Sequence, residues 1–203
     1  MSAKIGRRRT DPGTQPNAEL NLSEIFRAKG DLERAQDQYD GVYRYWKNPP
    51  PSHWMRFRYS IRMFAGMGGL ALARGDLAAA RLHSAECLAL ATGTDSRKNL
   101  VKGWRLAADI ARAERDGDTA EGQLRKSLDL AVSLGNPVQQ WKTEIALGHL
   151  LQDAVRTREA QHAFQRAFGV MQQVRQTLCE ERLRVAFEMN PDLRLVQDLL
   201  AGI

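Results

Sequence analysis

The sequence predicts an all-α solenoid of about four long helix pairs closed by two C-terminal helices, and three observations carry that reading. A turn-plus-helix signal recurs: Gly30-Asp31-Leu32-Glu33-Arg34-Ala35, Gly75-Asp76-Leu77-Ala78-Ala79-Ala80, the looser Gly117-Asp118-Thr119-Ala120, and Val155-Arg156-Thr157-Arg158-Glu159-Ala160. The alanines at 35, 80, 120 and 160 stand 45, 40 and 40 residues apart, the regularity of a repeat array. Between the turns, apolar residues return at spacings of three and four, as in Leu32, Ala35, Tyr39, Val42, Tyr43 and Trp46, or Phe164, Ala167, Phe168, Met171 and Val174.

Residues 1–17 are polar and turn-forming, carry two prolines and cannot bury a core, so they read as a disordered basic tail before a single repeat domain over 18–203. The pairs fall at about 18–46, 52–93, 95–134 and 137–175, each broken near its turn. In each turn, glycine or its substitute ends one helix in a left-handed conformation, and the next Asp or Thr caps the following helix. The alanine sits where two helices approach too closely for a larger side chain. Lys47 to Ser52, with three consecutive prolines, is a stiff break after the first pair. Gly66, Gly68 and Gly69 lie inside an apolar helical pattern, where close helix packing accounts for them and a local hinge is the alternative. Asn136-Pro137 and Asn190-Pro191 each read as an N-cap followed by proline at the first helical position. Two short helices at about 178–189 and 191–201 use Leu183, Ala186, Phe187, Leu195, Val196 and Leu199 to cover the open end.

With 43% hydrophobic and 27% charged residues, the composition is that of a folded domain. The longest apolar run, Met63 to Ala73, is eleven residues, whereas a bilayer needs roughly 20. Lys4 and Arg7 to Arg9 have no apolar stretch behind them, so no secretory signal is read and a cytoplasmic location is expected. Cys87 and Cys179 fall in helical patterns without CxxC partners, which suits reduced, buried thiols. The net charge of +6 is uneven: residues 51–110 hold nine Lys and Arg against four Asp and Glu, an excess of +5. A basic region there attracts anions, or merely keeps the chain soluble.

The fourth pair resembles the tetratricopeptide repeat, with Leu147-Gly148, Leu151, Ala160, Phe164 and Ala167 at its apolar and small positions. The first pair matches through Leu22, Phe26, Gly30, Ala35 and Tyr39, with Ser23 at a small position. The second matches through Phe64, Met67, Gly68, Gly75 and Ala80, with Ser84 where an aromatic is common. The third fits only with a shifted turn. The resemblance implies a right-handed α-α superhelix with lengthened helices. Over about 134–200, Leu134-Gly135-Asn136-Pro137, Trp141, Arg158-Glu159-Ala160, Leu183-Arg184, Phe187 and Asn190-Pro191 resemble the MalT-like C-terminal repeat domains of bacterial signalling ATPases and transcriptional regulators. That likeness implies a sensor or interaction role and brings no catalytic residue, since no GxxxxGK[ST] segment is present.

In such arrays the first helix of each pair lines the groove. Trp54, Phe57 and Ile61 read as inward, with Arg58 and Arg62 four apart on an adjoining strip and Tyr45 closing the preceding helix. Lys98, Lys102 and Arg105 continue the strip on the next first helix. Tyr45, Trp54, Arg58, Arg62, Lys98, Lys102 and Arg105 are therefore the candidate groove for an acidic peptide, through guanidinium forks and ring stacking. The alternative is that the aromatics are core and the arginines a solvated face. The histidines at 53, 83, 149 and 162 have no metal-ligand spacing, and no serine stands in a GxSxG turn, so no enzyme, cofactor or metal is expected. The absence of a helix-turn-helix or zinc motif argues against nucleic acid despite the basic tail. The expected function is a noncatalytic protein- or peptide-binding module. A small-molecule effector sensor and self-association into a homo-oligomer are the alternatives.

Overall fold

The structure is a computed structural model that describes residues 14–48 and 54–202, with the side chains of 14 and of 54–58 outside the described set. Residues 1–13 of the tail and the prolines of the break lie outside it as well. The described residues form helices with no strand among them: α1 Thr14–Ala28, α2 Leu32–Lys47, α3 Trp54–Ala73, α4 Leu77–Gly93, α5 Arg97–Ala113, α6 Gly117–Ser133, α7 Pro137–Asp153, α8 Thr157–Thr177, α9 Glu181–Glu188 and α10 Pro191–Ala201. None of these is long and apolar enough to cross a membrane. α1 begins inside the segment expected to be tail. Pro16 sits in its first turn, where a missing N–H costs no helical hydrogen bond, and it is buried.

Each turn repeats one hydrogen-bonded device. A residue with positive φ follows the helix at 30, 75, 95, 115, 135 and 155, the last five spaced by twenty residues. The N–H after it reaches back five residues, as Asp76 to the Ala71 carbonyl at 2.9 Å and Arg156 to the Leu151 carbonyl at 2.8 Å. In four of these turns the same residue then caps the next helix: Asp31 accepts from the Arg34 amide at 3.2 Å, Asp76 from Ala79 at 2.9 Å, Asp116 from Thr119 at 3.0 Å and Asn136 from Gln139 at 3.2 Å, whereas Arg156 makes no side-chain cap. The third pair corrects the sequence reading. Arg115 and Asp116, not Gly117 and Asp118, hold the left-handed and capping positions, and Gly117 and Asp118 are already helical. With the turn moved, Ala108, Ala120 and Leu124 fall into the buried positions that Gly148, Ala160 and Phe164 hold in the fourth pair.

Val155 is β-branched at φ 59 and 83% exposed, so it has strain and little packing to lose. Val155→Gly is expected to raise stability by about 1 kcal/mol, relief of the left-handed strain outweighing glycine's added freedom in the unfolded chain. Urea unfolding checks this, and a destabilised variant would contradict it.

The chain divides into two compact units, Met1–Leu106 and Ala107–Ile203, so the boundary falls within α5. In the first, Leu20, Tyr39, Val42, Ile61, Met63, Phe64, Leu70 and Cys87 form the core, and burial pushes the Cys87 thiol up to about 11. Tyr43 and Trp46 join it, the Trp46 ring meeting Phe64 edge-on at 5.2 Å. The glycines of α3 sit where neighbours press on it. A side chain at 66 would meet Tyr39 Cε1 at 2.6 Å, and one at 68 would meet Leu106 Cδ2 at 2.8 Å. α3 runs unbroken through these glycines, as close packing requires.

In the second unit the core gathers on α7 and α8, with Trp141, Leu147, Leu150, Leu151, Phe164, Ala167 and Met171 buried. Its end is covered by Leu193 and Val196, helped by partly buried Phe187 and Leu199. Leu195, at 40% exposure, faces outward because α10 docks on α8 through Leu193 and Val196, and Leu183, at 44%, and Ala186 of α9 are exposed as well. Cys179 departs from expectation too. It lies in the α8–α9 link, exposed and in no disulfide, its thiol donating to the Thr177 carbonyl.

Candidate functional site

Three first helices of the N-terminal unit bring the charged candidates together. α1 places Asn17, Asn21 and Glu24 at spacings of four and three, one face of a helix. Arg62 of α3 reaches across to that face with its whole guanidinium. Nε donates to Glu24 Oε1 at 3.0 Å, Nη1 to Asn17 Oδ1 at 3.2 Å and Nη2 to Asn21 Oδ1 at 2.7 Å. Arg62 is therefore held by α1 and straps the two helices together.

Lys102 of α5 is half-buried beside this strap. Burial first, then the neighbouring charges of Lys98, Arg62 and Arg105, lower its pKa, while Glu24 works in the opposite direction. Three cations and the Glu24 carboxylate thus act on Lys102. Lys98 is exposed one turn earlier on the same helix, and Arg105 is half-buried one turn later. Beside Arg62 and Glu24 lies Tyr39, whose hydroxyl is buried next to the Arg27 guanidinium. Burial, with Glu24 adding and Arg27 and Arg62 subtracting, pushes it up to about 12. Arg27 lies over Gly69, where a side chain would come within 3.8 Å of its guanidinium.

Arg62, Lys98, Lys102 and Arg105 of the sequence-predicted set meet here. Tyr45 is half-buried on α2, a second helix, outside the charges that act on Lys102. Trp54 and Arg58 lie on the first turns of α3, and their side chains are outside the described residues. Sequence reasoning missed Asn17, Asn21 and Glu24. Their spacing was the available signal, but Asn17 stood in the segment taken for tail.

Tyr43 and Trp46, expected on the apolar stripe of their helix, pack on Phe64. Among the described residues no group of three His, Cys, Asp or Glu could hold a metal ion. His149 meets Phe164 edge-on at 5.4 Å, and His83 stacks on Phe64 at 6.0 Å with its pKa lowered chiefly by burial. A separate cavity of about 300 Å³ in the C-terminal unit is lined by Arg112, Arg115, Gly117, Leu150, Asp153 and Ala154, with Arg112 paired to Asp153.

The sequence matches no family model and no curated protein. Among solved structures, BtubC (BKLC) from P. vanneervenii is similar over 99% of this chain and 78% of that one, with a TM-score of 0.69 and 19% sequence identity. That likeness concerns the fold, and with the consecutive helix pairs it makes this chain an all-α helical-repeat solenoid.

Proposed function

We propose that the chain is a noncatalytic, tetratricopeptide-like module that holds an acidic peptide segment against the first helices α1, α3 and α5. The observation that carries this is the half-buried Lys102 ammonium with the charges of Lys98, Arg62 and Arg105 acting on it. A half-buried ammonium among three other cations is unfavourable in the free protein, and a ligand carboxylate relieves it. The MalT-like likeness of residues 134–200 suits a cytoplasmic sensor or interaction domain of a bacterial regulatory system.

Titration calorimetry with a Glu-rich peptide tests the reading. Binding is expected, falling with added salt and lost in Lys98→Glu/Lys102→Glu. Equal affinity in that double variant would sink it. Lys102 also sets a pH dependence. Its pKa is lowered, so its charge, and with it affinity, is expected to fall with rising pH before the ordinary lysine range is reached.

The same residue links binding to stability. A lysine whose folded pKa is depressed favours the folded state above its unfolded pKa, and that contribution is gone once pH falls through the folded value. At neutral pH the ammonium is therefore a net cost. Lys102→Met is expected to raise the melting temperature while weakening peptide binding, a trade of function against stability. A lower melting temperature with unchanged affinity would contradict both parts.

A second reading, a small-molecule effector domain, rests on the cavity beside Arg112 and Arg115. A thermal-shift screen separates the two, because a metabolite that binds only the folded state raises the melting temperature. A shift that persists in Lys98→Glu/Lys102→Glu and is lost in Arg115→Glu would favour the effector.

A further inference from the structure

We infer that Arg62 is a positioning residue, which turns the amides of Asn17 and Asn21 outward as donors, and that these amides with Lys98 and Lys102 take an extended peptide bearing carboxylates at alternate positions. The inference rests on the peptide-binding reading and names what that site reads.

A guanidinium only donates hydrogen bonds. The amide atoms facing Arg62 at 3.2 and 2.7 Å must then be the oxygens Oδ1 of Asn17 and Asn21, which is how they lie. An amide whose oxygen is held this way has its NH₂ directed away. Both asparagines are exposed, so their N–H groups are offered to whatever lies along α1. Without Arg62 each amide would be free to turn over and present an acceptor, which an acidic ligand avoids. Glu24 takes the third guanidinium donor at 3.0 Å, so Arg62 has its Nε, Nη1 and Nη2 engaged and acts on the ligand through the amides.

The spacing selects the ligand's conformation. Asn17 and Asn21 are four residues apart on α1, as are Lys98 and Lys102 on α5, and four residues of helix rise about 6 Å. Two residues of extended chain cover about 6.6 Å. Each pair therefore matches groups two residues apart in an extended peptide. The neutral amide donors suit its backbone carbonyls. The lysines suit carboxylates on one side of the strand, which an alternating Glu-x-Glu pattern supplies.

The test uses the full chain and two eight-residue peptides of equal composition, one alternating Glu and Ser, the other four Glu followed by four Ser. Calorimetry is expected to give tighter binding of the alternating peptide. The side-chain NH₂ resonances of Asn17 and Asn21 should move with its saturation. Asn17→Leu/Asn21→Leu, neutral changes, should weaken it about tenfold, as loss of two neutral hydrogen bonds implies. Arg62→Leu should weaken it in the same sense, and Arg62→Lys should not restore it, because an ammonium cannot span both amides and Glu24. The resonance measurement needs no variant and stands even if one fails to fold. Unmoved amide resonances, or equal affinity for the two peptides, would overturn the inference while Lys98→Glu/Lys102→Glu still tested the broader reading. If neither peptide bound the wild-type chain, both would fall.

Discussion

Replacing Phe164 with alanine is expected to cost about 3–5 kcal/mol, the upper range for truncating a buried aromatic. The ring is fully buried at the centre of the α7–α8 packing. It lies flat on the backbone of α7 at Gly148, where a side chain would meet its Cδ1 and Cζ at 2.7 Å. It also carries the edge contact with His149. The residues beside it on the same helix, Ala160, Ala163 and Ala167, are too short to reach into the gap. Amide hydrogen exchange along α7 and α8 in urea checks the loss. The converse change, Gly148→Ala, adds one methyl group against the ring and is expected to cost about 1–3 kcal/mol. The two positions touch, so Gly148→Ala with Phe164→Leu should cost less than the sum of its parts. Strict additivity would mean that the ring does not rest on that glycine.

Arg166→Met is the second large effect, about 2–3 kcal/mol. Glu144 sits on the inner face of α7 with its side chain 3% exposed, and Arg166 holds both carboxylate oxygens at 2.8 Å. Removing the guanidinium strands a buried carboxylate, which in a wholly buried pair costs about 3–5 kcal/mol. Arg166 is itself 51% exposed, so water already screens the pair and the smaller figure applies. The pair is also replaceable. Glu144→Leu/Arg166→Met should regain most of the loss, since neither charge is then left alone. Denaturation in urea separates the outcomes, and a single variant as stable as wild type would show that Glu144 finds water or another donor.

Much of the fold was legible because it is written locally. Glycine-aspartate turns, alanines at 40-residue intervals and proline after asparagine each specify a backbone conformation through the residue itself. The third turn was misplaced for the same reason. Arg115 adopts φ 63 although arginine gives no sign of it, while Gly117, which does advertise freedom, is helical. The start of α1 was hidden by proline, which ends helices in their interior and is tolerated in a first turn.

The candidate site was legible in part. Charge density along the chain picked out Arg62, Lys98, Lys102 and Arg105, because helix periodicity puts them on strips. What periodicity could not supply was which strip faces which. Arg62 and Glu24 are 38 residues apart, and their pairing depends on how α1 lies against α3.

The residue that ends one helix and the residue that begins the next are neighbours in every turn, so the chain has no slack there. One residue inserted after Gly75 would rotate all of α4 by about 100° and bring a different stripe inward. Losing or copying a whole stretch between equivalent turns, from Gly75 to Arg115 or from Arg115 to Val155, would leave every cap and every stripe in phase. Heritable changes in the length of this protein should therefore come in steps of forty residues, with single-codon insertions confined to segments outside the phased turns and their helices. The 45-residue interval from Ala35 to Ala80, which contains the three prolines, is the one place where the sequence has departed from that step.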